Sequence, residues 1–137
     1  MSDAIATQVL EANRRFYDAL EALDIEGMEA CWASGPELAC VHPGGPWQRG
    51  WEEVRTAWEA IMANTGYIEF EIAEARVHVV DPVAWVTCVE RITSAVEGER
   101  AAAEAAATNV FVLDATGWHM VVHHASPIIR NANADEP

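Results

Sequence analysis

The stretch Tyr67–Val96, YIEFEIAEARVHVVDPVAWVTCVERITSAV, decides the fold, because its first half alternates apolar and polar residues and its second half is rich in β-branched residues. The apolar positions are even-numbered up to Ile72 and odd-numbered from Val77 onward. Such a change of phase is typical of a β-bulge, which we expect within Ala73–Ala75. With Asp81-Pro82 as a turn, the stretch predicts an antiparallel pair of strands, the first of them long and bent.

Two more strands are predicted downstream of this pair. Glu97-Gly98-Glu99 is a turn signal, and Asp114–Gly117 closes a further hairpin before the apolar segment Trp118–Ile129. Between these turns, Glu99–Ala107 is nearly all alanine and glutamate, so intrinsic propensity alone favours a helix there. Its position between two turns and its continuation into β-branched residues favour a strand, which we expect from about Glu104. The four strands then form an antiparallel meander.

Three helices are predicted upstream of these strands. Apolar residues recur at spacings of three and four from Ile5 to Leu23, which predicts a first helix of about five turns. Asp24 is suited to cap a short second helix, and Gly35-Pro36 is expected to stop it. A third apolar stripe follows and ends at Asn64. Helices that precede an antiparallel meander indicate the α+β class.

The composition limits what the protein does. A chain of 137 residues, 51% of them apolar, has the size of one domain with a sufficient core of its own. We expect this domain over residues 1–130 and a disordered polar tail over residues 131–137. The sequence has 22 acidic and 8 basic residues, which gives a net charge of −14. This charge argues against partners that are bound through phosphate groups, namely nucleic acids and anionic membrane surfaces.

Nothing in the sequence predicts export or a membrane span. No apolar stretch approaches the ~18 residues that a spanning helix needs, and Met1–Gln8 lacks the basic region of a secretory signal. The cysteines, Cys31, Cys40 and Cys88, are odd in number and form no C-x-x-C pair, as expected for buried thiols in a reducing compartment. We therefore expect a soluble, cytoplasmic protein without disulfides.

Tryptophans surround one irregular loop. After a short predicted strand at Leu38–Val41, the segment His42–Pro46 contains two prolines and two glycines, which excludes regular structure. Four of the six tryptophans lie near this loop, and we expect some of them to form the wall of a cavity and others to be ordinary core residues. These tryptophans are Trp32, Trp47, Trp51 and Trp58.

Several of these segments together resemble a known superfamily. Asp24–Trp32, the run Cys40-Val41-His42-Pro43 followed by Gly50, and the closing strand Gly117–Ser126 are similar to the nuclear transport factor 2-like superfamily, above all to its SnoaL-like and ketosteroid-isomerase-like members. The resemblance covers nearly the whole chain. It implies a cystatin-like α+β barrel, in which a cone-shaped, curved antiparallel sheet wraps around an N-terminal three-helix layer and encloses an apolar cavity.

The resemblance also implies roles for individual residues. The proton acceptor of the isomerase-like proteins falls on His42, and their protonated oxyanion-hole acid falls on Asn109. Their oxyanion-hole tyrosine falls on Phe16, and two supporting tyrosines fall on Trp32 and Trp58. Because rings replace these hydroxyl groups, steroid isomerisation by the family mechanism is not expected. We expect His42 to accept a proton and Asn109 to donate a hydrogen bond to developing negative charge.

The last strand supplies the remaining predicted site residues. His123 and His124 are neighbours, so their side chains point to opposite faces of the strand. The resemblance assigns His124 to the cavity as a third catalytic residue, and it leaves His119, Val121 and His123 on an outer face that a second copy of the chain would cover. The predicted ligand-binding residues are Phe16, Trp32, Trp47, Trp58, Phe111, Val122 and Ser126.

Other chemistries have little support in the sequence. The histidines lack the spacing of a metal site, the glycines form no nucleotide-binding motif, and Ser126 lies in no nucleophile elbow. We therefore expect a homodimer that binds a small apolar or aromatic molecule and uses neither metal nor cofactor, with acid–base catalysis of the isomerase, dehydratase or cyclase type. The alternative is a ligand-sensing or oligomerisation module without catalysis, since the association domain of calcium/calmodulin-dependent kinase resembles the same superfamily.

Overall fold

The three helices form where the apolar stripes predict them. Their bounds are α1 (Ser2–Glu21), α2 (Ile25–Cys31) and α3 (Gly50–Ala63), in a computed structural model that describes residues 2–35 and 37–130. Asp24 caps α2 as predicted, since its side chain accepts a hydrogen bond from the Gly27 amide at 3.1 Å. Asn64 follows the last residue of α3, which confirms the predicted end of that helix.

The end of α2 differs from the prediction. The helix stops at Cys31, before the expected stop at Gly35. Trp32 has an extended conformation and forms a parallel bridge with Met120 of the last strand. Pairing with a strand that is distant in sequence therefore ends the helix before the local stop signal acts.

The strands form one curved sheet, whose inner face packs against the helices. Their bounds are β1 (Ala39–Val41), β2 (Trp47–Arg49), β3 (Tyr67–Val80), β4 (Val83–Val96), β5 (Glu99–Asp114) and β6 (Gly117–Pro127). Within the described residues the sheet has six strands in the order β2-β1-β6-β5-β4-β3. The α+β class and the antiparallel meander β3–β6 are confirmed. The sheet as a whole is mixed, because β1 pairs in parallel with β6 and forms a short hairpin with β2.

Two bulges determine which residues face the helices. In β3 the register against β4 shifts between Ala73 and Arg76, and Glu74 between them has a φ of 54°. This shift confirms the predicted bulge and its change of phase. In β6 an extra residue, Val121, interrupts the pairing with β5 next to Val110. The sequence pattern did not indicate this second bulge, which reverses the faces of the residues that follow it.

β5 begins earlier than predicted. It starts at Glu99 rather than near Glu104. Each residue between these two positions has a partner in β4, so the alanine-rich segment belongs to a strand ladder. Pairing with a neighbouring strand thus outweighs the intrinsic preference for helix, which is worth only about a few tenths of a kcal/mol per residue.

The core lies between α1, α3 and the inner face of the sheet. Phe16 and Tyr17 of α1 are fully buried, as are Phe111 of β5 and Met120 of β6. α1 packs mainly on β3 and also contacts β4 and β6. The curved sheet therefore surrounds the first helix on several sides.

Two expectations concern the ends and the exterior of the molecule. The predicted disordered tail, residues 131–137, lies outside the described residues. Across residues 2–35 and 37–130, no helix combines the length and the apolar character that crossing a membrane requires.

Candidate functional site

A cavity of about 140 Å³ lies between the helices and the inner face of the sheet. An apolar cavity of roughly 150 Å³ admits benzene, so this one has room for a compact molecule. His42, Glu90 and His123 line it with ionisable side chains. The apolar part of its wall includes Leu20, Trp58, Ile61, Ile68, Phe70 and Ile92.

Glu90 reaches the cavity because of the alternation along β4. Val86, Cys88 and Glu90 are successive inward positions of that strand, and all three are buried. Glu90 thus occupies a position where the pattern calls for an apolar residue, and it is only 2% exposed. Burial raises the pKa of its carboxyl to about 7, although a hydrogen bond from Tyr17 acts in the other direction. Glu90 therefore gains and loses its proton near neutral pH.

Glu90 belongs to a buried hydrogen-bond network of five side chains, and the Cys88 thiol contacts this network 3.7 Å from Tyr17 Oη. The Tyr17 hydroxyl donates to Glu90 Oε2 at 2.6 Å. The Asn109 amide nitrogen donates to Asn13 Oδ1 at 2.8 Å and to Tyr17 Oη at 3.1 Å. The Asn109 oxygen accepts a hydrogen bond from His123 Nδ1 at 2.5 Å. All five side chains are buried, so the network holds the carboxyl and the imidazole in defined orientations.

The two histidines of the cavity are neutral at pH 7. Burial, together with the charges of His42 and His124, lowers the pKa of His123 to about 3. Burial also lowers the pKa of His42 to about 4. His42 Nε2 lies 3.3 Å from Cys40 Sγ, and the His42 ring packs against Trp58 with a centroid distance of 4.3 Å. Since burial raises the pKa of the Cys40 thiol above its usual range, this pair is uncharged as well.

The structure brings two of the predicted site residues, His42 and Trp58, to the cavity wall. Asn109 lies one step behind the wall, in the hydrogen-bond network. Phe16 and Phe111 are fully buried in the core, and Phe16 supports Trp58 with an edge-on contact of 5.7 Å between ring centroids. Four of these residues, His42, Trp58, Asn109 and Phe16, therefore gather at or directly behind the cavity, whereas Phe111 is a core residue.

The other predicted site residues lie away from the cavity. His124 is exposed, and its ring contacts Trp47, itself 46% exposed, at 5.1 Å between centroids. Val122 and Ser126 share the outer side of β6 with His124. Trp32 is buried elsewhere, and its indole nitrogen donates to a methionine sulfur of α2 at 3.3 Å. None of these five residues lines the cavity.

The expected orientation of the two neighbouring histidines was wrong. His123 faces the cavity and His124 faces outward. The bulge at Val121 is the physical reason, because Met120 points inward before it and His123 points inward after it. The placement of His123 with His119 on an outer, intermolecular face is corrected accordingly.

Sequence reasoning missed Glu90, Tyr17 and Asn13. A signal for Glu90 was available, since an acid at an inward position of a strand is rarely buried without a reason. Tyr17 and Asn13 lie one turn apart on α1, at the edge of its apolar stripe. No local pattern separates them from surface residues, and only their contact with Asn109 reveals the network.

The two largest of the surface depressions lie beside helices. One, of about 430 Å³, is between α1 and α2, and the other, of about 790 Å³, is beside the start of α3. Exposed residues, such as Arg15 and Glu52, form most of their linings. In the part of the chain that the structure describes, no group of three or more His, Cys, Asp or Glu side chains is arranged to hold a metal ion.

The chain is similar to proteins of known structure along nearly its whole length. A protein named as a proposed dehydratase of the NTF2-like family from Streptomyces avermitilis is 37% identical, with a TM-score of 0.91, over 95% of this chain and 100% of that chain. A proposed calcium/calmodulin-dependent protein kinase type II association domain from Thiobacillus denitrificans is 29% identical, with a TM-score of 0.74, over 86% of this chain and 93% of that chain. Proteins of cystatin-like fold are among the structural neighbours, which confirms the expected architecture.

A plant protein is related in sequence. The F-box protein SKIP8 of Arabidopsis thaliana is 25% identical over 126 residues, which are 92% of this chain and 52% of the plant protein. The chain thus spans about half the length of this curated relative. The sequence model of the SnoaL-like domain matches residues 9–130. The resemblance noted in the sequence is confirmed: the chain belongs to the SnoaL-like domain family, within the NTF2-like superfamily.

Proposed function

We propose that this protein binds a small apolar or aromatic molecule in its cavity and catalyses a cofactor-independent acid–base reaction on it, of the isomerase, dehydratase or cyclase type. One observation carries this proposal: the Glu90 carboxyl, with a pKa of about 7, lines a largely apolar cavity. A base whose pKa is near the operating pH transfers protons efficiently. The similarity to a protein named as a proposed dehydratase supports the same reaction class.

We assign the role of proton acceptor to Glu90 rather than to His42. A base with a pKa of about 4, such as half-buried His42, is weak at neutral pH. Tyr17 holds one oxygen of the Glu90 carboxylate, which leaves the other oxygen for a substrate. His42 then serves as a polar contact of the wall, and Asn109 orients the network from behind. Exposed His124 has no part in this chemistry.

The proposal can be tested with a generic probe of carboxylate bases. In benzisoxazole, a compact fused aromatic, a base removes the ring C–H proton while the N–O bond breaks, and the product is a cyanophenolate that is followed by absorbance. We expect the protein to accelerate this reaction, with a rate that rises with pH through about 7 as Glu90 loses its proton. Glu90→Gln should lower the protein-dependent rate by about 10²–10⁴-fold.

Two further variants make this test specific. Glu52→Gln removes an exposed carboxylate of α3 and should leave the rate unchanged. His42→Asn should change the rate by less than Glu90→Gln does. A Glu90→Gln protein with full activity would overturn the proposed role of Glu90, and loss of activity in His42→Asn alone would make His42 the base. A wild-type protein without any effect on benzisoxazole would overturn the proposed catalysis.

We also propose that the protein is a homodimer that associates through the outer face of its sheet. Trp85, Val110 and Val122 lie side by side on this face, on three neighbouring strands, and each is only half-buried in the monomer. Adjacent apolar side chains of this kind are typical of a protein–protein interface. In a twofold dimer the same patch lies on both subunits, so a charge placed at its centre meets its own copy.

Light scattering at micromolar concentration tests this association. The wild-type protein should have twice the monomer mass of 15.0 kDa. Val110→Glu should weaken the dimer by at least about a hundredfold, because two like charges would be desolvated together. Thr108 is exposed and lies two residues from Val110 on the same face of β5. Thr108→Ser is therefore the control and should leave the mass of the dimer unchanged. A monomeric wild-type protein would contradict the proposal.

The second candidate function is ligand sensing or oligomerisation without catalysis. The similarity to a protein named as a proposed kinase association domain favours it. This function requires saturable binding of small aromatic molecules that does not depend on the Glu90 carboxylate, together with an assembly larger than a dimer. Catalysis of the benzisoxazole reaction by a dimeric protein would exclude it, and sedimentation analysis of the same samples would identify the larger assembly.

We further propose a cytoplasmic location. Cys31, Cys40 and Cys88 are free thiols, and free thiols persist in reducing compartments. Fractionation of cells that express the full-length protein should recover it with cytoplasmic markers. Recovery with the membranes or outside the cell would contradict this location.

A further inference from the structure

The hydrogen-bond network determines which atoms of the cavity wall are acceptors. The Tyr17 hydroxyl gives its one proton to Glu90, so its oxygen accepts from the Asn109 amide nitrogen. The Asn109 oxygen then faces His123 and accepts from its Nδ1–H. Since burial lowers the pKa of His123 to about 3, the ring is neutral and its other nitrogen, Nε2, carries a lone pair. His123 therefore presents an acceptor beside Glu90.

The Glu90 carboxyl has one oxygen that a ligand can reach. Tyr17 donates to Oε2, whereas Oε1 makes no hydrogen bond to a described residue. Among the described buried and half-buried residues, the fully enclosed side-chain polar atoms without a partner are Gln48 Oε1, Trp58 Nε1 and Trp118 Nε1. Glu90 Oε1 is not one of these, so it retains accessible surface. Because Glu90 lines the cavity, this oxygen is available to a molecule bound there.

The two acceptors lie close together without a bond between them. His123 Nε2 is 4.0 Å from Glu90 Oε2, which is too long for a hydrogen bond. When the carboxyl is ionised, neither side chain has a proton to donate to the other. A ligand nitrogen that lies about 2.9 Å from each of them fits between the two side chains. Such a nitrogen must carry at least two N–H groups.

No positive charge of the protein stands beside the Glu90 carboxylate. Three weak acids interact with it electrostatically, and burial raises the pKa of each, so all are uncharged at pH 7; they are Tyr17, Cys40 and Cys88. His42 and His123 are neutral as well. Among the described residues that line the cavity, none is arginine or lysine. A cationic ligand would supply the missing counter-charge.

The rest of the cavity restricts the body of the ligand. Most of the wall is apolar and includes the rings of Trp58 and Phe70. Aromatic rings are favourable neighbours for a cationic nitrogen and for hydrocarbon alike. A volume of about 140 Å³ has room for a ring of five or six carbon atoms, by comparison with the roughly 150 Å³ that admits benzene.

From these observations we infer that the cavity binds compact primary amines, whose ammonium group pairs with the Glu90 carboxylate and donates a second hydrogen bond to His123 Nε2. The inference rests on the proposed small-molecule site and names its ligand class. The apolar body of the amine fills the remaining space. Because the carboxylate is buried before the ligand arrives, only the ammonium loses solvent on binding, and two charge-assisted hydrogen bonds offset this loss.

Two probes of similar size and shape test the ligand class. Cyclopentylamine carries an ammonium group where cyclopentanol carries an uncharged hydroxyl with a single proton. In calorimetric titrations at pH 8, where Glu90 is ionised, we expect the amine to bind wild-type protein about tenfold or more tightly than the alcohol. Glu90→Gln keeps the size of the side chain and removes its charge, so in this variant the preference for the amine should be lost.

An exposed acid supplies the matched control. The protein has a net charge of −14, which attracts cations to its surface without any specific site. Glu52→Gln removes one such surface charge from α3 and should keep the preference for the amine. The same titrations at raised salt should weaken surface attraction far more than binding in the buried cavity.

A spectroscopic measurement tests the contact in the unmodified protein. Because a positive charge favours the ionised carboxyl, saturating cyclopentylamine should lower the pKa of Glu90 below about 7 in a carboxyl titration by ¹³C NMR. Cyclopentanol brings no charge and should leave this pKa in place. The measurement uses wild-type protein, so it decides the question even if Glu90→Gln fails to fold.

The outcomes separate this inference from the proposed function. Equal affinities of the two compounds for wild-type protein, or a preference that persists in Glu90→Gln, would overturn the amine site and leave the cavity as a binding site. An unchanged pKa of Glu90 in saturating amine would overturn it too. Loss of the preference in Glu52→Gln as well as in Glu90→Gln would show attraction to the acidic surface and would contradict the inference. Absence of binding by both compounds would overturn the inference together with the proposed small-molecule site.

Discussion

The inner and outer faces of the same strands carry opposite chemistry. Asn109 of β5 is fully buried within a polar network, whereas its neighbour Val110 faces outward among half-buried apolar side chains. On β6, His123 is buried inside and Val122 lies outside. Globular domains usually bury apolar residues and expose polar ones. At these two pairs the usual arrangement is reversed, and the proposed chemistry of the cavity and the proposed association through the outer face would each account for one side of the reversal.

The largest expected effect comes from removing the centre of the inner network. Asn109→Leu keeps the approximate size of the side chain but leaves buried groups of Asn13 and His123 without partners. We expect the free energy of unfolding to fall by about 3–5 kcal/mol. Urea denaturation at pH 7 measures this change. The adjacent outward residue is the control, since Thr108→Val should cost no more than about 0.5 kcal/mol. Similar losses of unfolding free energy in Asn109→Leu and Thr108→Val would contradict the proposed difference between the inner and outer faces of the sheet.

The pH dependence of the free energy of unfolding shows whether the pKa of the buried Glu90 carboxyl is raised. The pKa of Glu90 is about 7 in the folded protein and 4.5 ordinarily, so between these values the unfolded chain has lost a proton that the folded chain retains. The Glu90 contribution to stability is therefore present at low pH and is lost as the pH rises towards 7, by about 1.4 kcal/mol per pH unit. Glu90→Gln lacks this loss and should gain stability relative to wild type over the same range.

The two histidines of the cavity change the stability in the opposite direction, and their contribution cancels when wild type and Glu90→Gln are compared. In the folded protein the pKa values of His42 and His123 are about 4 and 3, below the ordinary histidine value of 6.5. Wild type and Glu90→Gln therefore both lose stability as the pH falls below 6.5. Only the difference between wild type and Glu90→Gln isolates the carboxyl. Glu52→Gln, an exposed control, should give a curve parallel to wild type. Parallel curves for Glu90→Gln would mean that the carboxyl titrates as it does in solvent.

Two tyrosine–glutamate hydrogen bonds, one buried and one exposed, allow the buried and the solvent-exposed environments to be compared directly. Tyr17 donates to buried Glu90 at 2.6 Å, and Tyr67 donates to exposed Glu69 at 2.8 Å. Tyr17→Phe should lower the free energy of unfolding by about 1–2 kcal/mol, whereas Tyr67→Phe should have almost no effect. Because the bond from Tyr17 lowers the pKa of Glu90, its removal should raise that pKa further. A carboxyl titration by ¹³C NMR measures the shift, and an unchanged pKa would show that the bond does not control the proton.

The smallest effect is expected for the exposed ring that the sequence assigned to the ligand. Trp47 contacts His124 and lies over the Arg49 guanidinium at 5.1 Å, outside the cavity. Trp47→Ala should lower the free energy of unfolding by less than about 1 kcal/mol and leave the affinity for benzisoxazole unchanged. Trp58→Ala, by contrast, should weaken this affinity. Calorimetric titration compares the two variants, and equal losses of affinity would place the ligand outside the cavity.

Much of the fold, but less of the site, was predictable from local sequence. The apolar stripes place the helices, and the change of phase between Ile72 and Val77 predicts the bulge of β3 correctly. The family resemblance implies a cavity and places His42 and Trp58 at it, and both residues line the cavity of the structure. The resemblance assigns the wrong histidine of β6 to the cavity, because the bulge at Val121 shifts the inward positions by one residue and the local sequence does not indicate that shift.

The sequence by itself determined the class of fold, the family and the presence of a loop beside a cavity, because these depend on periodicity, turn residues and motifs that act over short distances. Only the tertiary structure decided that Glu90, rather than His42, is the titrating group of the site. Its pKa depends on burial and on Tyr17, a partner from a helix distant in sequence. The alternation along β4 marks Glu90 as an inward position, but its pKa is raised only by the long-range packing that removes solvent from its carboxyl, which local patterns do not encode.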